Sequence, residues 1–571
     1  EPLRYISQAG FDPLDFSGKG TFNLKITRPL LSYVPIEDYT FNGKGSFQEL
    51  TLDLDRFSVA LTEGVGSVSL TNKSLTIGGT AEAEGVPSEF SWERSFGDDA
   101  VMSLWARASL DSVAADAMGL PLRRYIRGEV DTRIEAEGDK AAFQRVQIVG
   151  DLTNAMISLD DQDSIKRIGE PGELAVTLQL GDEGEPLIVE SMSATMAGAN
   201  IEGNAKFAAD GGLLDLDLPR LFVEHQADLS ARLRRQDDML VADLEGDYLY
   251  VGSLIDSLFK SQGGGGLPGG FIIDGALQNV DLKGAVSLSD VIVTGRHDGD
   301  VMGSLSLSGQ FEDGGTLAIN IDENPKGLGR DLTLVTDQFG KALEGAFGIS
   351  SVTGGDAIFS ATLLDDGPVA GSVKAQDIRL QNAPLVARLL SFGSLDGMAR
   401  VLNGEGLAFD ELVSDIQLED GDLRFVNARL TGSALGLSSN GSVNLQEGAF
   451  DLRGAVAPAY GVNSFLADLP GIGELLVPRR GEGIFAFGYQ VAGPMAEPTV
   501  SVNTFTALTP GILRRLFEPV VGQAQTTDDL LSAAEVTAGL AEARQYLTTP
   551  ELLQEYERLH VKDEPEPDDV R

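Results

Sequence analysis

The chain has 571 residues, 42% of them hydrophobic, with 43 Lys and Arg against 87 Asp and Glu, and therefore a formal net charge of −44. This length exceeds what one ordinary hydrophobic core holds, so we expect several domains or one elongated repetitive structure. So acidic a chain repels nucleic-acid phosphates, which excludes sequence-independent nucleic-acid binding, and the absence of cysteine excludes disulfides and thiolate chemistry.

Alternation of apolar and polar residues predicts β-strands along most of the chain. One face of each strand is mostly Leu, Ile or Val and the other is mostly polar, which is typical of antiparallel sheets with one wet face. The clearest strands are predicted at residues 22–27, 50–55, 174–180, 305–307 and 317–322. Turn signals separate the strands at Asn42-Gly43, 181–184, 210–212, 313–315, 365–367 and Asn440-Gly441.

Helical spacing predicts three helices between these strands, at residues 98–118, 251–260 and 384–402. Each is followed by a glycine and a new strand, at Gly128, Gly275 and Gly406 respectively. The unit recurs at roughly 140-residue intervals, which indicates a degenerate internal repeat. Near the end of the chain, 526–529 predicts the start of a capped helix, and 563–569 predicts a solvated acidic tail.

No pattern in the sequence supports catalysis or metal binding. The three histidines, His225, His297 and His560, are far apart and have no metal-ligand spacing. The Gly-rich stretch 264–269 matches GxGxxG, but a helix precedes it and a strand follows, the reverse of the order in a dinucleotide site. The acidic stretch 160–163 lacks the glycine and distal glutamate of a calcium loop. We therefore expect neither an enzyme nor a cofactor.

The apolar strand faces must be covered by something, and the sequence leaves two possibilities open. A second sheet would cover them in a sandwich or solenoid, whereas a curled sheet would leave them to accommodate lipid tails. If roughly 30 strands formed one sheet at ~4.8 Å per strand, it would be on the order of 140 Å long. The candidate lipid-lining residues, for each of which simple core packing is the alternative, are Val286, Leu288, Leu305, Leu307, Leu317, Ile319, Ile321, Leu332, Leu334 and Val373.

Several ordered sequence blocks follow one another in the last third of the chain. They are 458–464 (PAYGVNS), 470–473 (PGIG), 481–487 (GEGIFAF), 489–494 (YQVAGP), 498–503 (PTVSVN) and 508–517 (LTPGILRRLF). In these blocks the segment 383–517 resembles the C-terminal region of AsmA-like proteins, most closely the YhdP type. The stretch 504–506 is Thr-Phe-Thr, where that family usually has Pro-Leu-Ser. Residues 1–382 resemble the family's central β-region more weakly, at 120–130 and 368–380.

The resemblance implies a mainly β fold, with a long, twisted, largely antiparallel sheet curled into an elongated apolar groove (a β-taco) and a few helices. It implies a periplasmic lipid-transfer protein that moves phospholipids between the inner and outer membranes, with proteins of either membrane as further partners. An N-terminal inner-membrane anchor is expected outside these residues. The implied domains are 1–244 (β-groove with an inserted helix near 98–118), 245–382 (second β-groove segment), 383–525 (AsmA-like region) and 526–571 (helical, acidic tail).

Two rival functions stay open, namely a periplasmic scaffold or assembly factor for outer-membrane proteins with a dry interior, and an extracellular adhesin-like β-solenoid. The C-terminal blocks disfavour the second. A short basic amphipathic helix is predicted from Pro510 and ends before Pro519. Its candidate contacts with a membrane or a partner are Ile512, Leu513, Arg514, Arg515, Leu516 and Phe517. The alternative is that this helix caps the open end of the sheet.

Overall fold

A computed structural model describes part of the chain. The described residues are 16–30, 38–54, 59–97, 100–117, 125–139, 142–158, 164–181, 185–255, 270–299, 302–324, 329–364, 369–392, 402, 404–419, 421–445, 447–458, 487–494 and 498–503. They are mainly β, with 74% strand content, and the pairing is largely antiparallel with few helices, which confirms the predicted fold class. The chain divides into two compact units, Glu1–Gln236 (unit 1) and Asp237–Arg571 (unit 2).

Unit 1 is a meander in which successive long strands pair side by side in antiparallel fashion, with β8 pairing to β11 across a short insertion. That insertion contains β9 and β10, and β9 pairs with the start of β7. The helix of this unit is α1 (Ser112–Ala117). The strands are β1 (Phe16–Thr27), β2 (Thr40–Leu54), β3 (Val59–Thr71), β4 (Ser74–Ala83), β5 (Val86–Ser95), β6 (Met102–Asp111), β7 (Ile126–Gly138), β8 (Phe143–Asp151), β9 (Ala155–Ser158), β10 (Ser164–Lys166), β11 (Gly172–Gln179), β12 (Leu187–Met196), β13 (Ala199–Phe207), β14 (Leu213–Val223) and β15 (Ala227–Gln236).

Unit 2 begins with one parallel pair and continues as an antiparallel meander. Its helices are α2 (Phe339–Phe347) and α3 (Pro384–Phe392). The strands are β16 (Met239–Tyr250), β17 (Gly270–Asp281), β18 (Ser287–His297), β19 (Met302–Phe311), β20 (Thr316–Glu323), β21 (Arg330–Thr336), β22 (Val352–Leu363), β23 (Val369–Leu380), β24 (Leu407–Glu419), β25 (Asp422–Thr431), β26 (Leu435–Asn444), β27 (Ala449–Pro458), β28 (Phe487–Pro494) and β29 (Thr499–Asn503). Parallel strands need a crossover connection rather than a tight turn, and residues 251–269 supply it between β16 and β17.

The connections in each meander alternate between the two ends of the strands, so each unit has two margins. In unit 1 the two longest connections, 112–125 and 152–171, leave from the same margin. In unit 2 the connections that contain α2 and α3 also leave from one margin, because β21 and β23 run in the same direction. We call this the insert margin of each unit and the opposite one the turn margin.

The main buried cluster of unit 2 lies at its insert margin, where α2 and α3 pack on the sheet. Phe339 of α2 and Leu390 of α3 are buried there together with Ala357, Ala375 and Phe409 of the strands. An ion pair of 2.9 Å between Lys341 Nζ and Asp313 Oδ2 and a 3.1 Å hydrogen bond from Lys283 Nζ to the Ala346 carbonyl also hold α2 in place. The helices therefore cover the strand ends on this side, and α3 also contacts β29.

Irregularities at several strand positions twist and bend both meanders. Glu49 and Glu63 in unit 1, and Asp290 and Asn427 in unit 2, have positive φ values between 50° and 54°. Each lies where the pairing register shifts, which identifies it as part of a β-bulge. Because bulges increase the right-handed twist and bend the strand, they introduce the curvature that a curled sheet requires.

Several sequence predictions about local structure need correction. The helix predicted at 98–118 is wrong for 102–111, which form β6, and only 112–117 are helical. The turns predicted at Asn42-Gly43 and Asn440-Gly441 are also wrong, because these residues lie inside β2 and β26. In each case strands pair on both sides of the segment, and this tertiary pairing outweighs the local preference.

Other local predictions are confirmed. The turn at 313–315 joins β19 to β20, with Gly314 in the left-handed conformation that such a turn requires. The helix predicted at 384–402 is observed over Pro384–Phe392. Of the helix predicted at 251–260, residues 252–255 are helical and 256–260 lie outside the described residues. The turn predicted at 365–367 and the helices and tail predicted after 526 also lie outside the described residues. The predicted boundary after residue 244 falls within β16.

Candidate functional site: an apolar face on each unit

The pairing register brings most of the predicted lining residues of unit 2 together in two rows that cross the strands. In the middle row, Leu307 of β19 lies opposite Ile319 of β20, which lies opposite Leu334 of β21. In the outer row, one step nearer the turn margin, Leu305 and Leu332 flank Ile321. Residues directly opposite in an antiparallel sheet have Cβ atoms about 4.5–5.5 Å apart, so each row is a continuous apolar strip.

Both rows continue beyond the predicted residues. The middle row runs from Val293 through Phe359 and Val373 to Ser414, where a hydroxyl interrupts it. The outer row continues to the last described strand without a charged residue, through Ala361, Gly371, Ile416, Phe425, Gly441, Leu452, Val491 and Val500. These rows define the apolar face of unit 2.

The ten predicted residues differ in burial, and their distance from the insert margin accounts for only part of the difference. Val286, Leu288 and Leu317 lie near that margin and are buried, with Leu288 opposite the buried Phe311. Ile321 and Val373 are also buried, and Val373 belongs to the cluster beneath the helices. The remaining five, which are half-buried although they lie in the interior of the sheet, are Leu305, Leu307, Ile319, Leu332 and Leu334.

Half-burial of interior strand residues indicates that the tips of their side chains are not covered. Neighbours in the same sheet shield the flanks of a side chain, whereas only a second layer shields its tip. The opposite face of these strands carries a polar row, with Val335 and Ile358 as apolar exceptions nearby. The members of the polar row are Thr294, Ser306, Asn320, Thr333, Ser360, Ser372 and Asp415. Within the described residues, the sheet therefore separates a wet face from an incompletely covered apolar one.

Unit 1 has an apolar face of the same design, which the sequence-based choice of lining residues missed. Its central row is Phe22, Gly45, Val68, Ile77, Trp92, Leu104, Ala136, Val146, Leu178, Val189, Ala205, Leu216 and Leu233. Trp92, Ile77 and Val146 are half-buried. The signal that could have found this row is the alternation within each strand, such as Phe90 and Trp92 separated by a serine.

The apolar face of unit 1 extends to β1, the first described strand, where large apolar side chains are exposed. Phe22, Leu24 and Ile26 of β1 are 48%, 45% and 52% exposed. Phe22 lies across Gly43 and Gly45 of β2, where an added Cβ would collide with its ring. The face is therefore continuous with an exposed apolar edge at β1.

Few titratable groups lie on or beside the two faces. Burial raises the pKa of Tyr489, whose hydroxyl donates a 3.0 Å hydrogen bond to the Ser438 carbonyl. At the insert margin of unit 1, Lys166 is fully buried and donates to the carbonyls of Ala155 and Arg167, at 2.8 and 3.0 Å. Burial lowers the pKa of this ammonium. These groups hold backbone segments together, and their contacts do not form an acid–base pair.

Two arginines lie on the apolar faces themselves. Arg94 of β5 shares a row with Leu75 and Met102, and Arg330 of β21 lies on the face of Leu332. Each arginine is only 8% exposed. Neither was predicted as a functional residue, because alternation selects only apolar side chains.

The remaining candidates from the sequence do not form a site within the described chain. No group of three or more His, Cys, Asp or Glu side chains there has metal-binding geometry. His225 is exposed at a turn, and His297 stacks on Phe271 with ring centroids 5.0 Å apart. No helix among the described residues is long and apolar enough to cross a membrane. The stretches 160–163 and 264–269, His560 and the predicted contact residues 512–517 lie outside the described residues.

Neither a comparison with models of protein families nor a search of the curated proteins finds a match to this chain.

Proposed function

We propose that the chain is a periplasmic lipid-transfer protein whose two apolar faces carry the acyl chains of phospholipids between the inner and outer membranes. The observation that carries this proposal is the outer row of unit 2, which extends from Gly295 on β18 to Val500 on β29 without a charged residue. Acyl chains need a continuous apolar surface and no catalytic group, and each unit supplies such a surface.

Incomplete cover of these faces supports the lipid-transfer proposal. Interior residues such as Ile319 and Leu334 in unit 2, and Trp92 in unit 1, keep part of their surface exposed. Leaving apolar surface exposed to water costs about 25 cal/mol of free energy per Å², unless a ligand covers it. The sequence blocks within 383–517, which resemble AsmA-like proteins, agree with the same function, and the resemblance is also the basis for proposing an inner-membrane tether.

The second candidate is a periplasmic scaffold or assembly factor for outer-membrane proteins that does not conduct lipid. The dry cluster under α2 and α3, with Phe339 and Leu390 at its centre, favours it, because a fully packed interior has no room for a lipid tail. Most of that cluster lies near the insert margin, although Val373 of the middle row belongs to it and Ile416 of the outer row packs against it. The rest of both rows extends beyond the cluster.

Lipids that co-purify with the chain distinguish the two functions. The chain would be prepared without detergent, and its bound lipids would be extracted and quantified by mass spectrometry. For a lipid-transfer protein we expect one or more phospholipids per chain. A stable, monodisperse and lipid-free protein would contradict the proposal and favour the scaffold.

The helix predicted at 510–517 is proposed as a membrane contact. Liposome flotation of the chain and its Phe517→Asp variant tests this role, with loss of flotation expected for the variant. Equal flotation of the two proteins would assign the segment to capping the end of the sheet instead.

A further inference from the structure

Two nearly buried arginines occupy equivalent places on the two apolar faces. Arg330 is the first residue of β21, and Arg94 is the penultimate residue of β5. Both positions are at the turn margin of their own unit, beside the apolar row that contains Leu332 in unit 2 and the one that contains Trp92 in unit 1. Because each strand alternates, Arg330 points to the same face as Leu332, and Arg94 to the same face as Trp92.

The cross-strand neighbours of Arg94 are apolar, whereas Arg330 has one acidic and one apolar neighbour. Arg94 lies between Leu75 on β4 and Met102 on β6, and Met102 is 3% exposed. Arg330 lies between Glu323, which is exposed, and Leu363. A guanidinium does not lose its charge in a protein, so each site holds a permanent positive charge beside apolar surface.

A positive charge beside an apolar strip matches the chemistry of a glycerophospholipid. Such a lipid has two apolar tails and, next to them, a phosphodiester with a permanent negative charge. Guanidinium groups bind phosphate oxygens in a bidentate manner. A guanidinium has five N–H donors, so it can bond to a group of the protein and to a phosphate at the same time.

We propose that Arg330 in unit 2 and Arg94 in unit 1 bind the phosphodiester of glycerophospholipids whose tails lie on the apolar rows. The inference rests on the proposed phospholipid-carrying function and adds to it the residues that bind the lipid phosphate. It also fixes the orientation of the lipids, with the headgroup at the turn margin and the tails directed toward the insert margin.

The orientation agrees with the distribution of cover on unit 2. Its insert margin is occupied by α2, α3 and the buried cluster around Phe339 and Leu390, so protein side chains cover the strand ends of the described residues there. At the turn margin, Asp298, Glu323 and Glu419 are exposed, so that margin is in contact with water. A phosphate therefore meets both solvent and a cation at Arg330.

The test measures the uptake of two fluorescent lipids with the same tails, a phosphatidylethanolamine and a diacylglycerol, from vesicles of phosphatidylethanolamine and phosphatidylglycerol. The variants are Arg330→Gln and Arg94→Gln, with Arg330→Lys as the conservative change. Matched controls are Arg424→Gln and Arg107→Gln, which remove exposed arginines from the opposite face. Circular dichroism establishes that each variant is folded, and if one variant does not fold the other still tests the proposal independently.

We expect each Gln variant to bind the phospholipid about tenfold more weakly in its own unit, because a hydrogen bond to a charged group is lost. The other unit keeps its arginine, so about half of the phospholipid uptake should be lost and diacylglycerol uptake should not change. Arg330→Lys should recover part of the loss. The control variants should take up both lipids as the unaltered chain does. Equal uptake of phospholipid by the Gln variants and the unaltered chain, or equal losses for both lipids, would overturn the headgroup assignment.

Two further results bear on the interpretation. If the unaltered chain took up neither lipid, the proposed function itself would fail, and the arginine assignment with it. If inorganic phosphate alone bound to the chain, and this binding disappeared in Arg330→Gln while lipid uptake did not change, the residue would be a free-phosphate site and the lipid assignment would be wrong.

Discussion

Tyr248 on β16 donates a 2.9 Å hydrogen bond to Asp281 Oδ2 on β17, across the one parallel strand pair among the described residues. Asp281 also accepts from the Ser287 hydroxyl, which places all three side chains where β17 turns into β18. The pair therefore joins the start of unit 2 to its meander.

This hydrogen bond gives a prediction about alkaline pH. Burial, together with the hydrogen bond and charge of Asp281, raises the pKa of Tyr248 from 10.0 to about 12. Since the unfolded chain releases this proton at the lower pH, the stabilisation is complete below pH 10 and is lost as the pH rises toward 12. Tyrosinate absorbance should show one late-titrating group that is absent in Tyr248→Phe. A titration curve identical for both proteins would contradict the assignment.

A second pH effect is expected at the contact between α2 and the β19–β20 turn. Burial alone would raise the pKa of Asp313, but the hydrogen bond from Lys341 and the Gly315 amide lower it overall. The resulting stabilisation is present above the unfolded pKa, near 3.8, and is lost as the pH falls through the folded value. Lys341→Gln should lower the unfolding free energy at pH 7 by less than ~1 kcal/mol, because both side chains are partly exposed.

Thermal melting of Lys341→Gln and the unaltered chain at neutral and acidic pH tests this second effect. The difference between them should shrink below about pH 4, where the carboxylate becomes protonated. A difference that grows on acidification would mean that Lys341 stabilises the protein through its stem, and not through Asp313.

Charges placed in the middle of the apolar face should block lipid uptake without unfolding the chain. Ile319 and Leu334 lie directly opposite each other and are half-buried, so a carboxylate at either position can reach water at a cost of about 1–3 kcal/mol. The double variant Ile319→Asp/Leu334→Asp should lose bound phospholipid while keeping its circular dichroism spectrum.

The matched control for the double variant changes the adjacent polar positions, Asn320→Asp and Thr333→Asp, which also pair with each other but on the opposite face. It should retain its lipid. If the Ile319→Asp/Leu334→Asp variant transferred lipid as the unaltered chain does, the predicted lining residues would not lie on the transport path.

Close backbone approach in unit 1 predicts a steric effect at Gly66. An added Cβ would meet the Gly78 carbonyl and the Phe47 ring, neither of which can move without disturbing the strand pair. Gly66→Ala should therefore lower the unfolding free energy by about 1–3 kcal/mol. Gly436→Ala is the control, because its nearest neighbour is 3.7 Å away, and chemical denaturation should show a much smaller change there. Equal effects would show that the strands relax around the added methyl group.

The sequence predicted the parts of the fold that depend on local pattern. Alternation identified β19, β20 and β21 and selected Leu307, Ile319 and Leu334 for one face, and the pairing register placed them opposite one another. The pattern is informative there because period 2 matches a sheet with one wet face. The burial of Leu288 and Leu317 near the insert margin could not be read from it, since alternation does not show which other parts of the chain pack on a strand.

The errors arose where two periodicities coincide. Leu104, Trp105 and Ala108 fit helical spacing, but Leu104 and Ala108 also fit the alternation of a strand, and the neighbouring β5 and β7 decided between the two. Arg94 and Arg330 were overlooked for a different reason. A charged residue in an apolar row is invisible to a search for apolar residues, and only the register shows that it shares the face.

Pairing in both meanders is almost entirely between strands that are neighbours in sequence. Contacts of this kind are local along the chain, so each hairpin can form early and the sheet can grow from it, with a low entropic cost of loop closure. The same arrangement governs how such a chain can change in length during evolution. Insertion or deletion of a complete hairpin leaves the direction of every later strand unchanged. The loss of one strand before β21 would instead reverse every later strand, so that Arg330 and the helices α2 and α3 would each move to the opposite margin.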